Sequence, residues 1–103
     1  MLFEVHAQNM ELSDALRAYV EEKVLEPLKR IIDDPSARLE VRLRQVGHAK
    51  HGKNNEVHAH FSAPQQLRLD ITETDEDMYR AVDGAHHRLL EAVRRQVEKR
   101  RSH

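Results

Sequence analysis

The sequence predicts a single α+β domain with the element order β-α-β-β-β-α, in which two helices cover one face of a four-stranded sheet. The chain has 103 residues, which is the length of one domain. Four short segments alternate apolar and polar residues with the period of a half-buried strand, and two longer segments repeat apolar residues with the period of an amphipathic helix. Because the chain has only three Gly and three Pro and no Gly/Ser-rich linker, residues 1–103 are predicted to form one domain.

The first third of the chain predicts a strand followed by a helix. Apolar and polar residues alternate over residues 1–8. Ser13 is a favourable N-cap, and apolar residues follow it at helical spacing as far as about residue 32. Pro27 lies inside this pattern. Since proline lacks a backbone donor and clashes with the preceding turn, we expect a kink or a break near Glu26.

The middle of the chain predicts three strands, over residues 38–44, 56–62 and 67–72, each with one apolar face. Polar segments over 47–55 and 63–65 separate them, so the three strands are expected to form an antiparallel meander. If the first strand lies beside the second, the helix that joins them makes the pair parallel.

The last segment predicts a long amphipathic helix. Thr74 is expected to cap it, and residues 75–77 are expected to fill its first turn with carboxylates that complement the helix dipole. Its apolar stripe runs from Met78 to Val97, and its last turns are basic.

Several kinds of chemistry find no support in the sequence. There is no Cys, no Gly-rich phosphate loop and no nucleophile motif, so we expect neither an enzyme nor a cofactor site. The absence of Cys favours the cytoplasm, and neither an apolar run long enough to span a membrane nor a secretory signal is visible. Of the eight histidines, His58 and His60 share one strand face. They are interpreted as polar residues of a solvated surface, so no metal site is predicted.

Charge is distributed unevenly along a chain whose net charge is −1. Residues 36–60 carry a net charge of +3 and residues 86–103 a net charge of +4, whereas the two remaining segments are acidic. At 100° per residue, Arg88, Arg95 and Lys99 form a stripe beside the apolar face of the last helix. Such a stripe is either a solubilising surface or a contact for the phosphates of structured RNA.

Two segments, one in each predicted helix, resemble the sequence signatures of a known family. Residues 13–23 (SDALRAYVEEK) resemble the first-helix signature of the bacterial ribosome hibernation promoting factor and protein Y family, also called the sigma-54 modulation protein family. Residues 77–83 (DMYRAVD) resemble its second-helix signature, and a basic helix end follows. The resemblance extends from residue 1 to about residue 101.

The resemblance implies a fold similar to double-stranded RNA-binding domains and a partner, the small ribosomal subunit or the whole ribosome. The family binds small-subunit rRNA in the channel for messenger RNA and for A- and P-site transfer RNA. It blocks translation by steric exclusion in stationary phase or stress, and some members work in ribosome dimerisation. The resemblance thus implies a cytoplasmic, non-enzymatic factor without DNA or membrane partners, a monomer off the ribosome. The chain ends soon after the last helix, as in the short type of the family.

The resemblance also assigns rRNA-binding positions, and basic residues of the two helices occupy them: Lys23, Lys29, Arg30, Arg88, Arg95, Lys99 and Arg101. Three departures from the family are expected to matter. Glu91 replaces a basic residue, Pro27 accompanies a one-residue insertion, and the loop over 47–55 adds basic and histidine side chains. A second interpretation stays open, namely a protein-interaction domain that modulates an alternative sigma factor.

Overall fold

The computed structural model of the chain describes residues 1–47, 52 and 54–101. Its elements follow the predicted order β-α-β-β-β-α, with the first helix divided into three stretches. In chain order they are β1 (Leu2–Gln8), α1 (Asp14–Val20), a π-helical turn (Glu21–Leu25), α2 (Glu26–Ile31), β2 (Arg38–Gln45), β3 (Asn55–Ala63), β4 (Leu67–Asp75) and α3 (Met78–Arg101). Below, "the first helix" means the continuous run from α1 through α2.

The four strands form one sheet in the order β1-β2-β3-β4. β1 runs parallel to β2, because the first helix carries the chain back between them, and the other two pairs are antiparallel. The predicted α+β class and the predicted meander are therefore confirmed. Each strand buries its apolar face under the helices and leaves a polar face open to solvent.

The core lies between the sheet and the helices. The sheet contributes Leu39, Val41 and Phe61, and α3 contributes Val82 and Leu89, each at most 2% exposed. This close-packed layer fixes how each helix is rotated about its own axis.

The expected break near Glu26 takes the form of a π-helical turn. The N–H of Glu26 donates to the carbonyl of Glu21, five residues back. Buried residues of the first helix recur every four positions, at Val20, Val24 and Leu28, a longer interval than the ~3.6 residues of an α-helical turn. The wider turn keeps all three in the core, and it stands just before Pro27, which has no N–H to donate.

The two predicted helix caps have different outcomes. Ser13 caps α1 as predicted, since its Oγ accepts the N–H of Leu16 at 3.1 Å. The prediction that Thr74 caps α3 is wrong, because Thr74 lies within β4, which continues to Asp75 and pairs there with Asn55 of β3. The carboxylate of Asp77 caps α3 instead and accepts the N–H of Tyr79 at 2.8 Å. Residues 75–77 therefore precede the helix and do not fill its first turn.

Candidate nucleic-acid interface

The candidate interface is built on the first helix and α3, which pack side by side. The ring of Tyr19 meets that of Tyr79 edge to face, with 4.9 Å between centroids. The Tyr19 hydroxyl donates to Asp83 Oδ1 at 2.5 Å, and this hydrogen bond to a carboxylate raises the pKa of Tyr19 to about 12. One flank of α3, bearing Tyr79 and Asp83, thus faces the first helix.

Lys23 and His86 continue this contact toward the C-terminal end of the first helix. The Lys23 ammonium lies 5.7 Å from the centre of the Tyr19 ring. Burial and the neighbouring His87 lower the pKa of His86, although a backbone hydrogen bond with Lys23 acts in the opposite direction. His86 is therefore mainly uncharged at neutral pH, and Lys23 supplies the positive charge here.

The opposite flank of α3 faces β4 and carries Arg88. Its Nη1 donates to the Thr72 carbonyl at 2.7 Å and to Glu73 Oε1 at 2.8 Å. Arg95 and Lys99 follow Arg88 at helical spacing along α3. Arg88 and Lys23 therefore lie on opposite flanks of α3, whereas Arg95 lies over the groove that α3 forms with Pro27.

The ion pairs of the predicted residues differ in how strongly they hold the side chain. Arg95 pairs with Glu91 at 2.8 Å, but both side chains are more than 70% exposed. Lys29 lies 3.9 Å from Glu26. Exposed pairs of this kind contribute a few tenths of a kcal/mol, so an RNA phosphate could replace either carboxylate. Arg88 is held by two hydrogen bonds to the sheet and is less available.

Two of the remaining cations lie on exposed surface. Arg30 of α2 and Lys99 of α3 are exposed, and Arg101 is the last residue of α3. Sequence analysis left Arg94 out of the candidate set. Arg94 is exposed and lines a shallow groove between α3 and Pro27. Its spacing of four and eight residues from Leu90 and His86, which line the same groove, was the signal that could have placed it there.

The open face of the sheet holds two groups of side chains with metal-ligating atoms within 4.8 Å of one another. One group contains His58, His60 and Asp70, and the other contains Glu4, His6 and Glu40. Sequence analysis found the pair of histidines on β3 but missed Asp70, which belongs to β4 and lies opposite His60 through the strand register.

Two further points of the sequence analysis concern the loop over residues 47–55 and the possibility of a membrane span. The sequence leaves open whether His48, Lys50, His51 and Lys53 add a contact with RNA, and these four residues lie outside the described part of the chain. Among the described residues, no helix combines the length and the hydropathy that crossing a membrane requires.

Comparison with known proteins shows the family. Residues 3–101 match the model of the family described as "Sigma 54 modulation protein / S30EA ribosomal protein". The N-terminal domain of Thermus thermophilus Protein Y is 31% identical, with a TM-score of 0.74, over 91% of this chain and 96% of that domain. A ribosomal subunit interface protein from Coxiella burnetii has the same fold, with a TM-score of 0.72 and 22% identity over 95% of this chain and 99% of its own.

A curated relative is longer than this chain. The ribosome hibernation promotion factor of Staphylococcus aureus (strain COL) is 27% identical over 94 residues, which are 90% of this chain and 46% of the relative. The matched family model spans both helices and all four strands. The chain therefore belongs to the sigma 54 modulation protein / S30EA ribosomal protein family.

Proposed function

We propose that this chain is a ribosome hibernation factor. It binds rRNA of the small subunit in the channel for messenger RNA and for A- and P-site transfer RNA, and it blocks translation by occupying that channel under stress or in stationary phase. The proposal rests on family membership and on the names of the relatives, one a ribosome hibernation promotion factor and another a ribosomal subunit interface protein.

The structural observation that carries the proposal is the exposure of cations on α2 and on the C-terminal half of α3. Lys29, Arg30, Arg94, Arg95 and Lys99 are all exposed. The acidic partners that the structure records for Lys29 and Arg95 lie within the same helix and are themselves exposed. Their charge is therefore available to phosphates, which dominate the affinity of proteins for structured RNA.

The binding model assigns different roles to the predicted residues. Lys29, Arg30, Arg95, Lys99 and, at the end of α3, Arg101 contact phosphates. Arg94 is added to this set, and Lys23 contributes charge between the helices. Arg88 mainly fastens α3 to β4. Binding acts by exclusion of messenger and transfer RNA, so the chain needs no catalytic group, and its site of action is the cytoplasm.

The central experiment is co-sedimentation with purified small ribosomal subunits. A triple variant, Arg94→Ala/Arg95→Ala/Lys99→Ala, removes three exposed cations from α3. The matched control, Arg38→Ala/Arg42→Ala/Arg68→Ala, removes the same charge from the open face of the sheet. We expect the α3 variant to lose binding and the control to keep it, while circular dichroism shows that both are folded. Equal losses would mean that net charge alone drives the association, and the proposed surface would be wrong.

A second experiment addresses the location of binding. Small subunits loaded with messenger RNA and P-site transfer RNA should bind the protein at least about tenfold more weakly than empty subunits, because two ligands of one channel exclude each other. Equal binding to loaded and empty subunits would place the site outside the channel. Capture of a sigma factor that survives RNase treatment would instead favour the protein-interaction alternative.

A further inference from the structure

The face of the sheet that the helices leave uncovered carries a cluster of histidine and carboxylate side chains. Neighbouring strands set these side chains in rows. In one row, His60 of β3 lies between Glu40 of β2 and Asp70 of β4. In the next row, His58 lies between Arg42 and Thr72.

His58, His60 and Asp70 are already close together. The two imidazole rings lie 4.1 Å apart between centroids and are tilted by 39°. The Nδ1 of His60 contacts the Oδ1 of Asp70. One nitrogen from each histidine and one oxygen from Asp70 all lie within 4.8 Å of one another.

The distances suit a metal ion after a small adjustment of the side chains. Zinc binds imidazole nitrogen and carboxylate oxygen at about 2.0–2.2 Å, so two ligands of a tetrahedral ion are about 3.3 Å apart. The strand register fixes the three backbone positions. Changes in the side-chain torsion angles that bring the ligand atoms closer by up to about 1.5 Å are then enough to place them on one ion.

The donor set selects the class of ion. Two imidazoles and one carboxylate suit zinc and the neighbouring late first-row divalent ions, whereas magnesium and calcium prefer oxygen ligands throughout. Among the described residues, no Lys or Arg forms an ion pair with Asp70, so its carboxylate is open to a cation.

The second cluster on this face is less suitable. It consists of Glu4, His6 and Glu40. The Arg42 guanidinium already donates to Glu40 at 2.9 Å, so a metal ion there would have to displace a positive charge. The imidazole of His6 contacts Glu4 at 3.2 Å. Its single imidazole also makes it a weaker ligand set for zinc than a pair of imidazoles.

We propose that His58, His60 and Asp70 bind one divalent late transition-metal ion, such as zinc, on the open face of the sheet. The ion keeps its remaining coordination positions for water or for a ligand group from a partner. The site lies across the sheet from the helices, so its occupancy is independent of the proposed contacts with rRNA.

Zinc titration by calorimetry, with cobalt as a spectroscopic probe, tests the site. The wild-type chain should bind one ion, and His60→Gln and Asp70→Asn should each weaken binding at least about tenfold. His58→Gln is a further ligand variant in case one of these is poorly folded. Two controls separate this site from other histidines. His6→Gln disables the second cluster, and His48→Gln/His51→Gln removes the histidines of the segment after β2. Both controls should stay within about twofold of the wild type.

The outcomes are decisive in both directions. A loss confined to the His58, His60 and Asp70 variants, together with cobalt-induced broadening of amide signals in β3 and β4, supports the site. Absence of heat above dilution with the wild type overturns the proposal. Equal weakening by either control also overturns it, because the ion would then be held elsewhere.

Discussion

Arg88 of α3 is hydrogen-bonded to the sheet, whereas Arg95 forms only an exposed ion pair. Substitution of Arg88 should therefore mainly lower stability, and substitution of Arg95 should mainly lower binding. Arg88→Ala removes the two hydrogen bonds to Thr72 and Glu73 of β4. Hydrogen bonds to a charged group contribute about 1.5–3 kcal/mol when buried, and the Arg88 side chain is 53% exposed. After a discount for solvent screening, we expect a loss of about 1 kcal/mol in the free energy of unfolding. In a domain of this size that lowers the Tm by about 4–8 °C.

Arg95→Ala should have the reverse profile. Its pair with Glu91 is exposed, so the free energy of unfolding should change by less than about 0.5 kcal/mol. The loss of one phosphate contact should lower the affinity for small subunits by roughly severalfold to tenfold at moderate salt. The slope of log K against log salt should become shallower by about one contact.

Thermal denaturation and co-sedimentation at four salt concentrations measure both quantities for both variants. The wild type, with about six contacts, should lose on the order of a thousandfold in affinity over a fourfold rise in salt. The reasoning fails if Arg88→Ala flattens the salt slope as much as Arg95→Ala and leaves the Tm unchanged. That result would mean that the Arg88 guanidinium leaves β4 and reaches the RNA.

Three further predictions test the fold and the contact between the helices. Asp77→Ala should destabilise the chain by about 1 kcal/mol in urea unfolding while Thr74→Ala changes it by less than half as much, and the opposite order would restore Thr74 as the cap. Leu89→Ala, at a fully buried position, should cost about 2–5 kcal/mol by the same measurement, and a loss below about 1 kcal/mol would contradict the packing described. In a titration followed at 295 nm, Tyr19 should ionise near pH 12 and Asp83→Asn should remove most of that shift. Because the pKa is raised by folding, the stabilisation from this hydrogen bond is present below about pH 10 and disappears as the pH rises toward 12. Ionisation of both tyrosines near pH 10 would show that the hydrogen bond is absent in solution.

Local pattern was enough to predict the strands, the core and the cap of α1. Alternation over residues 38–44 determines which side chains are buried whatever lies beside that strand. Local pattern could not identify the cap of α3, because the end of β4 at Asp75 depends on pairing with Asn55, which lies 20 residues away in sequence. Pro27 indicated where the first helix is irregular, but only the packing of the buried residues selects a π-helical turn over a kink.

The candidate sites also depend on contacts between elements, which the local sequence pattern does not determine. A helical wheel gives the angle between Arg88 and Arg94, but it does not say which flank of α3 meets the first helix and which meets β4. Asp70 was missed because its position beside His60 depends on the register between two strands, which alternation alone leaves undetermined. In both cases, side chains from different elements meet through tertiary packing.

The bond between Arg88 and the Thr72 carbonyl has a consequence for self-association. β4 is one of the two edge strands of the sheet, and the unpaired backbone groups of an edge strand are a template on which the strand of another molecule could add. A guanidinium that is hydrogen-bonded to a backbone carbonyl of this strand holds its positive charge beside the strand, which makes such an addition unfavourable. The same arginine that joins helix to sheet therefore also places a charge where edge-to-edge pairing of two molecules would begin.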